Sequence, residues 1–275
     1  MAAESDDQKV REFLSGIRIG DVCGGTVAEV PDRGGVTITL DGFPARPLGT
    51  VRPSDVSWSG TRSAAVGVGE RVTGEVIAVD PDAGLVRLAM TATEHPELWA
   101  FLKARRPGEV LSGTVAAIER FGVFVALDEG PGHPVLPGVG FITVPELSWR
   151  RLDSATDVVE VGQRVSCEFL QFDDGHGEAG LSLRALRPDP FRAFAESHSV
   201  GQRLPGRVTR LTPIGVFVRV ADGIEGLVRP EDLDATPSAP ARSAVGDDMA
   251  VVITNIDHDR RTLTLTQPRV VTGSE

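Results

Sequence analysis

The chain has 275 residues, 41% of them hydrophobic, and a formal net charge of −11 from 28 lysines and arginines against 39 aspartates and glutamates. This length suits about three small domains, and the negative charge excludes tight non-specific binding of polyphosphates through bulk charge. Residues 107–189 carry 6 basic and 13 acidic groups, whereas residues 200–275 carry 9 and 10. Any contact with nucleic acid must therefore depend on stacking and on the local arrangement of side chains.

One pattern of residues recurs three times along the chain. In each copy a phenylalanine is followed seven residues later by a glycine, and a second glycine follows after five more residues. These landmarks are Phe13, Gly20 and Gly25; Phe101, Gly108 and Gly113; and Phe194, Gly201 and Gly206. A repeat of this period indicates one structural module in three copies. The predicted domains are residues 1–93, 94–188 and 189–275.

The N-terminal segment predicts a short amphipathic helix over residues 7–16, because Val10, Phe13 and Leu14 recur at helical spacing. Asp6 or Asp7 is the expected N-cap. The first residues are acidic and lack the apolar core of a signal peptide, and no apolar run approaches the roughly 20 residues of a membrane span. We therefore expect a cytoplasmic protein that makes no contact with membranes.

Short strands separated by turns rich in glycine, proline and aspartate follow in every module. The predicted strands are residues 22–30, 36–40, 48–51, 71–79 and 85–90; then 110–118, 121–127, 139–144, 164–172 and 179–183; then 216–220, 224–228, 250–256 and 262–266. Five strands with a long connection after the third favour a Greek-key barrel of the oligonucleotide- and oligosaccharide-binding (OB) fold. Pro96 and Pro190 predict short helices between the modules. The predicted fold is all-β, with three tandem five-stranded OB-fold barrels joined by short helices.

Aromatic side chains are expected on the outer face of the second strand in two modules. Because successive strand residues face opposite sides, Phe217 and Arg219 point outward when the alternating valines face the core, and Phe124 does the same in the second module. Phe121 precedes a glycine that allows its ring to reach the same surface. The first module has Thr37 at this place. A ring and a guanidinium that face water suit stacking on a flat ligand.

On the residues of its third copy, the chain resembles the S1 RNA-binding domain. These residues are Gly215-Val-Phe-Val, Asp222-Gly-Ile-Glu-Gly-Leu-Val228, Asp257 and Leu265-Thr266. The resemblance covers all three modules, most closely the third, and the proline-started helices resemble those of the acidic bacterial ribosomal protein S1 family. It implies S1-type barrels that bind single-stranded RNA on one face. Messenger or ribosomal RNA is then the expected ligand and the ribosome a further partner, with no cofactor.

The resemblance also implies which residues bind RNA: two aromatics beside the second strand, a histidine after the third strand, and an Asp and an Arg near the last turn. Ile214 replaces the first aromatic of the third module, and Thr143 replaces the histidine of the second. In the first module Gly34, Thr37 and Arg52 leave little of this platform. The implied RNA-binding residues are Phe121, Phe124, Phe141 and Asp173 in the second module, and Phe217, Arg219, Arg229, Asp257, Arg260 and Arg261 in the third.

Simpler roles exist for several of these residues. The phenylalanines can cover a barrel edge or pack against a neighbouring module, and the arginines can be solvated surface residues. Trp58 is interpreted as a local hydrophobic plug, and Cys23 and Cys167 as small buried hydrophobes. The five histidines have no metal-ligand spacing, and Asp173 and Asp174 lie at a turn. The sequence therefore predicts no metal site.

Catalytic motifs are missing from the sequence: it has no P-loop, no nucleophile elbow and no carboxylate cluster on regular elements. A non-enzymatic protein is expected. The favoured function is single-stranded RNA binding by the second and third modules, in translation or RNA regulation. One alternative is an adaptor whose degenerate barrels contact the ribosome or another complex. Another is a binder of single-stranded DNA or oligosaccharide, because the fold alone does not choose among these ligands.

Overall fold

A computed structural model describes residues 2–31, 35–59, 66–233 and 244–268. Within these ranges the strands form three closed five-stranded barrels, which confirms the predicted fold. The first barrel contains β1 (Val22–Glu29), β2 (Val36–Leu40), β3 (Gly49–Val51), β4 (Arg71–Asp80) and β5 (Leu85–Ala89). The second contains β6 (Val110–Glu119), β7 (Gly122–Leu127), β8 (Gly140–Thr143), β9 (Arg164–Asp173) and β10 (Glu178–Ser182). The third contains β11 (Arg203–Thr212), β12 (Gly215–Ala221), β13 (Ile224–Val228), β14 (Asp248–Asp257) and β15 (Thr262–Thr266).

All three barrels close in the same way. The first strand of each pairs with the second and the fourth, and the third strand runs parallel to the fifth. The long first strands β1, β6 and β11 each contain one register shift in their pairing with the second strand. Such a bulge bends a strand, and the bend lets it pair on both edges of a narrow barrel. This is the five-stranded Greek-key arrangement of the OB fold.

Helices are short and lie mainly between barrels. They are α1 (Ala2–Ser15), α2 (Pro53–Val56), α3 (Thr91–Glu94), α4 (Pro96–Lys103), α5 (Val144–Leu147) and α6 (Pro190–Ser197). α4 and α6 begin at the predicted prolines. α1 begins five residues earlier than predicted, so Asp6 and Asp7 lie inside the helix and the prediction that one of them is its N-cap is wrong. Among the helices described, none is both long enough and apolar enough to cross a bilayer.

The chain divides into two compact units. One consists of Met1–Leu147 and Ser154–Leu183 and holds the first two barrels; the other consists of Ser148–Asp153 and Arg184–Glu275 and holds the third. In the first unit, Val10 and Leu14 of α1 pack into the core of the first barrel. In the second unit, Phe191 and Phe194 of α6 pack into the core of the third barrel. The domain boundaries after residues 93 and 188 stay predictions.

The two cysteines are free thiols in different barrels. Cys167 in β9 has no exposed surface, and burial raises the pKa of its thiol to about 12. Cys23 in β1 is only half-buried, so the expectation of a buried thiol is wrong for this residue. Burial, with Asp21 and Asp41, also raises the pKa of Cys23. Because Cys23 is partly exposed and the thiolate is the reactive form, we expect an aromatic disulfide reagent at pH 8 to modify Cys23 slowly and to spare Cys167 until denaturant is added. Mass spectrometry of labelled peptides measures this, and rapid labelling of native Cys167 would contradict it.

Candidate nucleic-acid interface

Three phenylalanines of the second barrel meet on its outer surface. Phe124 of β7 lies opposite Phe141 of β8, with ring centroids 5.0 Å apart. Phe121, just before β7, has its ring 6.3 Å from Phe124 and 5.9 Å from Phe141. These separations are typical of interacting aromatic pairs. Gly122 makes the approach possible, because a Cβ atom there would lie 2.5 Å from the Phe141 ring.

The three rings differ in exposure. Phe121 is 57% exposed and Phe141 is half-buried, but Phe124 is only 6% exposed. Phe124 points out of the barrel as predicted, yet the expectation that its ring is open to water is wrong because Phe121 and Phe141 cover it. Phe121 and Phe141 therefore offer the accessible ring surface, and Phe124 supports them from below.

This aromatic cluster forms one wall of a cleft of about 680 Å³, which we call the aromatic cleft. Its volume lies in the range of small-molecule sites. The rest of its lining comes largely from β9, β10 and the turn between them, and includes Gln171, Asp173, His176 and Glu178. The cleft therefore brings together the four residues predicted for this module. The sequence analysis missed Gln171, His176 and Glu178, although the hairpin register that pairs Asp173 with Glu178 was open to prediction.

The polar end of the aromatic cleft is a hydrogen-bonded turn. One carboxylate oxygen of Asp173 accepts the backbone N–H groups of Gly175 at 3.0 Å and His176 at 3.2 Å, and the other lies 3.0 Å from Nδ1 of His176. This hydrogen bond to Asp173 raises the pKa of His176. Burial raises the pKa of Glu178 to about 7, against the opposing effect of His176 and with Asp173 acting in the same direction.

Trp58 of the first barrel holds the same turn in place. The side chain is 8% exposed, and its indole N–H donates to the carbonyl oxygen of Asp174 at 2.9 Å. Gly177 has a positive φ of 71°, and a Cβ atom there would lie 2.6 Å from the indole. A ring nitrogen of His133 lies 2.8 Å from the carbonyl oxygen of His176. Trp58 is a buried plug as predicted, but the plug is not local, because it fills the junction of the first two barrels.

The corresponding face of the first barrel carries small or polar residues. Thr37 of β2 is half-buried, Arg52 is exposed, and Asp80 accepts the backbone N–H of Ala83 at 2.9 Å in the turn after β4. Gly34 lies outside the described residues. No aromatic side chain occupies these described positions, and the low RNA affinity expected of this barrel stays a prediction.

Arginines lie close to the ring of Phe217 on the outer face of the third barrel. The guanidinium carbon of Arg210 lies 4.0 Å from the ring centroid of Phe217, which is half-buried. Arg219 is exposed and lies directly opposite Arg207 on β11, with Glu225 as its partner on β13. Arg207 in turn lies opposite Asp248 on β14, so this face carries charges of both signs. The sequence analysis singled out Phe217 and Arg219 but missed Arg207 and Arg210.

The remaining predicted residues of the third barrel lie at its loops. Arg229 follows β13, is exposed, and has a guanidinium nitrogen 4.0 Å from a carboxylate oxygen of Glu231. Asp257 ends β14 and accepts the backbone N–H of Arg260 at 2.9 Å, which closes the turn before β15. Arg260 is exposed. These side chains are accessible, and their contact with RNA stays a prediction.

Arg261 is engaged within its own unit. Its guanidinium forms an ion pair with Asp189, the N-cap residue of α6. The same group stacks over the indole of Trp149, with its central carbon 4.3 Å from the ring centroid. These contacts occupy most of the guanidinium, so Arg260 is the freer cation at this turn.

Comparison with known proteins shows which family the chain belongs to. The model of the S1 RNA binding domain matches residues 105–184 and 197–266, more than half of the chain. The small ribosomal subunit protein bS1 of Mycobacterium leprae is 34% identical over 261 residues, which cover 92% of this chain and 49% of that protein. Its namesake in Mycobacterium tuberculosis is 38% identical over 205 residues, 72% of this chain and 41% of that protein. The bS1 protein of Neisseria meningitidis is 31% identical over 262 residues, which cover 92% of this chain and 43% of that protein. The chain spans less than half the length of these relatives, and it belongs to the S1 RNA binding domain family.

Proposed function

We propose that the chain binds single-stranded RNA through its second and third barrels and acts in translation or RNA regulation. The observation that carries the proposal is the aromatic cleft, with Phe121 and Phe141 accessible, in a member of this family. Messenger or ribosomal RNA is the proposed ligand and the ribosome the proposed larger partner, because the relatives are named as ribosomal subunit proteins. The role is binding without catalysis, and a cytoplasmic location belongs to the same proposal.

Stacking is the proposed source of affinity in the second barrel. Unpaired bases expose flat faces, and each base stacked on an aromatic ring contributes about 1–3 kcal/mol whatever its sequence. Asp173 and Gln171 also line the cleft, where they can accept hydrogen bonds from base amino groups or from the ribose 2′-hydroxyl. This mode suits a protein of net charge −11, in which attraction between bulk charge and phosphate is weak.

Phosphate contacts are proposed for the third barrel. We expect Arg219→Ala to lower the slope of log Kd against log salt concentration by about one counterion, because each neutralised phosphate contributes nearly one to that slope. Titrations of labelled RNA at several KCl concentrations measure this. Arg192→Ala is the matched control, since Arg192 is an exposed arginine on α6 that pairs with Glu196. Equal slopes for the two variants would show that Arg219 makes no contact with RNA phosphates.

The function itself is tested by fluorescence anisotropy of the full chain with a 12-nucleotide RNA and the DNA of the same sequence. We expect RNA to bind more tightly, because only RNA offers the 2′-hydroxyl. Equal binding of both strands would show a general single-strand binder instead. Undetectable binding of RNA, together with co-sedimentation of the chain with ribosomes, would overturn the proposal and support the adaptor.

A further inference from the structure

Three potential metal ligands meet at the polar end of the aromatic cleft. They are Asp173 at the end of β9, Glu178 at the start of β10 and His176 in the turn between them. Asp173 and Glu178 are paired across the hairpin, and one ligand atom from each of the three residues lies within 4.8 Å of the others. The spacing of histidines along the sequence predicted no metal site, because two of these three ligands are carboxylates.

The distance between the ligand atoms of Asp173 and His176 allows both to bind one metal ion. Oδ2 of Asp173 and Nδ1 of His176 are 3.0 Å apart. With metal–ligand bonds of about 2.0–2.2 Å, this separation corresponds to an angle of roughly 90° at a shared ion. The hydrogen bond between them then gives way to two coordinate bonds, and the proton leaves for solvent. A tetrahedral angle at the ion requires these two atoms to move apart by about 0.4 Å.

Glu178 is the independent observation that points to a ligand. The residue is 8% exposed and lines the aromatic cleft, and among the described residues its carboxyl group makes no hydrogen bond or ion pair. The carboxylate oxygens are not fully enclosed, so they keep contact with the solvent of the cleft. Its carboxyl group lies beside Asp173 and His176, so a cation held by all three would supply the missing partner.

The turn that carries the ligands is fixed before any ion binds. Asp173 accepts two backbone N–H groups of the turn through its other oxygen. The indole of Trp58 binds the carbonyl of Asp174, and His133 binds the carbonyl of His176. Such outer contacts orient ligands and strengthen metal binding. The site therefore has the rigidity that a flexible pair of acidic side chains lacks.

We propose that Asp173, His176 and Glu178 form a site for a divalent transition-metal ion of the Zn²⁺ class, with an open coordination position toward the aromatic cleft. One imidazole and two carboxylates suit Zn²⁺, whereas Mg²⁺ prefers six oxygen ligands and keeps its waters. Three protein ligands leave a fourth tetrahedral position. If the proposed function holds, this position faces bound RNA and can take a phosphate oxygen or a base nitrogen.

The site is tested first without RNA, by calorimetric titration of the metal-stripped full chain with ZnCl₂. We expect one Zn²⁺ per chain, and we expect Glu178→Gln and His176→Ala each to weaken its binding at least about tenfold. MgCl₂ should give no comparable signal. The matched control is His258→Ala, which alters an exposed histidine in the equivalent turn of the third barrel. Circular dichroism checks that each variant is folded.

Several results would overturn the site. These are no stoichiometric Zn²⁺ binding, binding that survives both substitutions, or binding lost in His258→Ala. A shift of the His176 imidazole resonances on addition of Zn²⁺ provides a second readout, and unchanged resonances would count against the site. The RNA titration is then repeated with and without Zn²⁺. RNA binding without Zn²⁺ binding refutes the metal site alone, and Zn²⁺ binding without RNA binding refutes the proposed function alone.

Discussion

Replacing Phe121 and Phe141 together by leucine is expected to weaken RNA binding by the second barrel at least about tenfold. Leucine keeps the apolar contact with Phe124 but removes the flat faces on which bases stack. The loss of one stacked base is about 1–3 kcal/mol, and 1.4 kcal/mol corresponds to a factor of ten in Kd. The measurement is an anisotropy titration in a chain that also carries Phe217→Leu and Arg219→Ala, so that the third barrel contributes little.

The control for this prediction is Phe121→Tyr, which keeps an aromatic face at the most exposed of the three rings. We expect its affinity to stay within about twofold of the parent, because tyrosine stacks on bases as phenylalanine does. Thermal unfolding followed by circular dichroism shows whether the leucine variant keeps its fold. A folded double-leucine variant with unchanged Kd would refute stacking in this cleft.

The second large effect is expected at Trp58, which lies in the first barrel and contacts the turn between β9 and β10. Trp58→Ala should destabilise the first unit by about 3–5 kcal/mol, the usual cost of removing a buried tryptophan side chain. It also removes the donor to the Asp174 carbonyl. We therefore expect faster amide hydrogen exchange at residues 173–178, and weaker RNA binding by the second barrel.

Trp58→Phe and Trp149→Ala provide the controls. Phenylalanine keeps most of the packing and loses only the N–H donor, so its effect on stability should be about 1–2 kcal/mol. Trp149 contacts Arg187 and Arg261 of its own unit, and its removal should leave exchange at residues 173–178 unchanged. Equal exchange in Trp58→Ala and the parent chain would show that the turn does not depend on the first barrel.

The sequence was sufficient to predict the three barrels, but it did not predict how deeply each phenylalanine ring is buried. Alternation along β7 put Phe124 on the outer face, because strand geometry is local. Its burial depends on Phe141, which the chain brings alongside only when β8 pairs with β7. The sequence pattern does not give the register between β7 and β8, so it did not predict that Phe141 covers Phe124.

Contacts between distant segments account for most of what the sequence analysis missed. Trp58 and Asp174 are 116 residues apart in the chain, and no repeat or periodicity relates them. The sequence analysis assigned no role to His176, because the five histidines show no metal-ligand spacing. Its neighbours Asp173 and Glu178 are carboxylates that the β9–β10 hairpin brings together. Pairing the residues on the two sides of this predicted turn would have shown that Asp173, His176 and Glu178 lie close together.

The hydrogen bond from Trp58 to Asp174 also matters for the choice of fragments. A fragment that starts at residue 94 has an intact second module by sequence, yet it lacks the indole that covers Gly177. The loop after β9 would then face solvent, and its side chains would sample other positions. The first module thus contributes Trp58 to the support of this turn, and residues 1–183, which contain both modules, are the fragment we would choose for ligand studies.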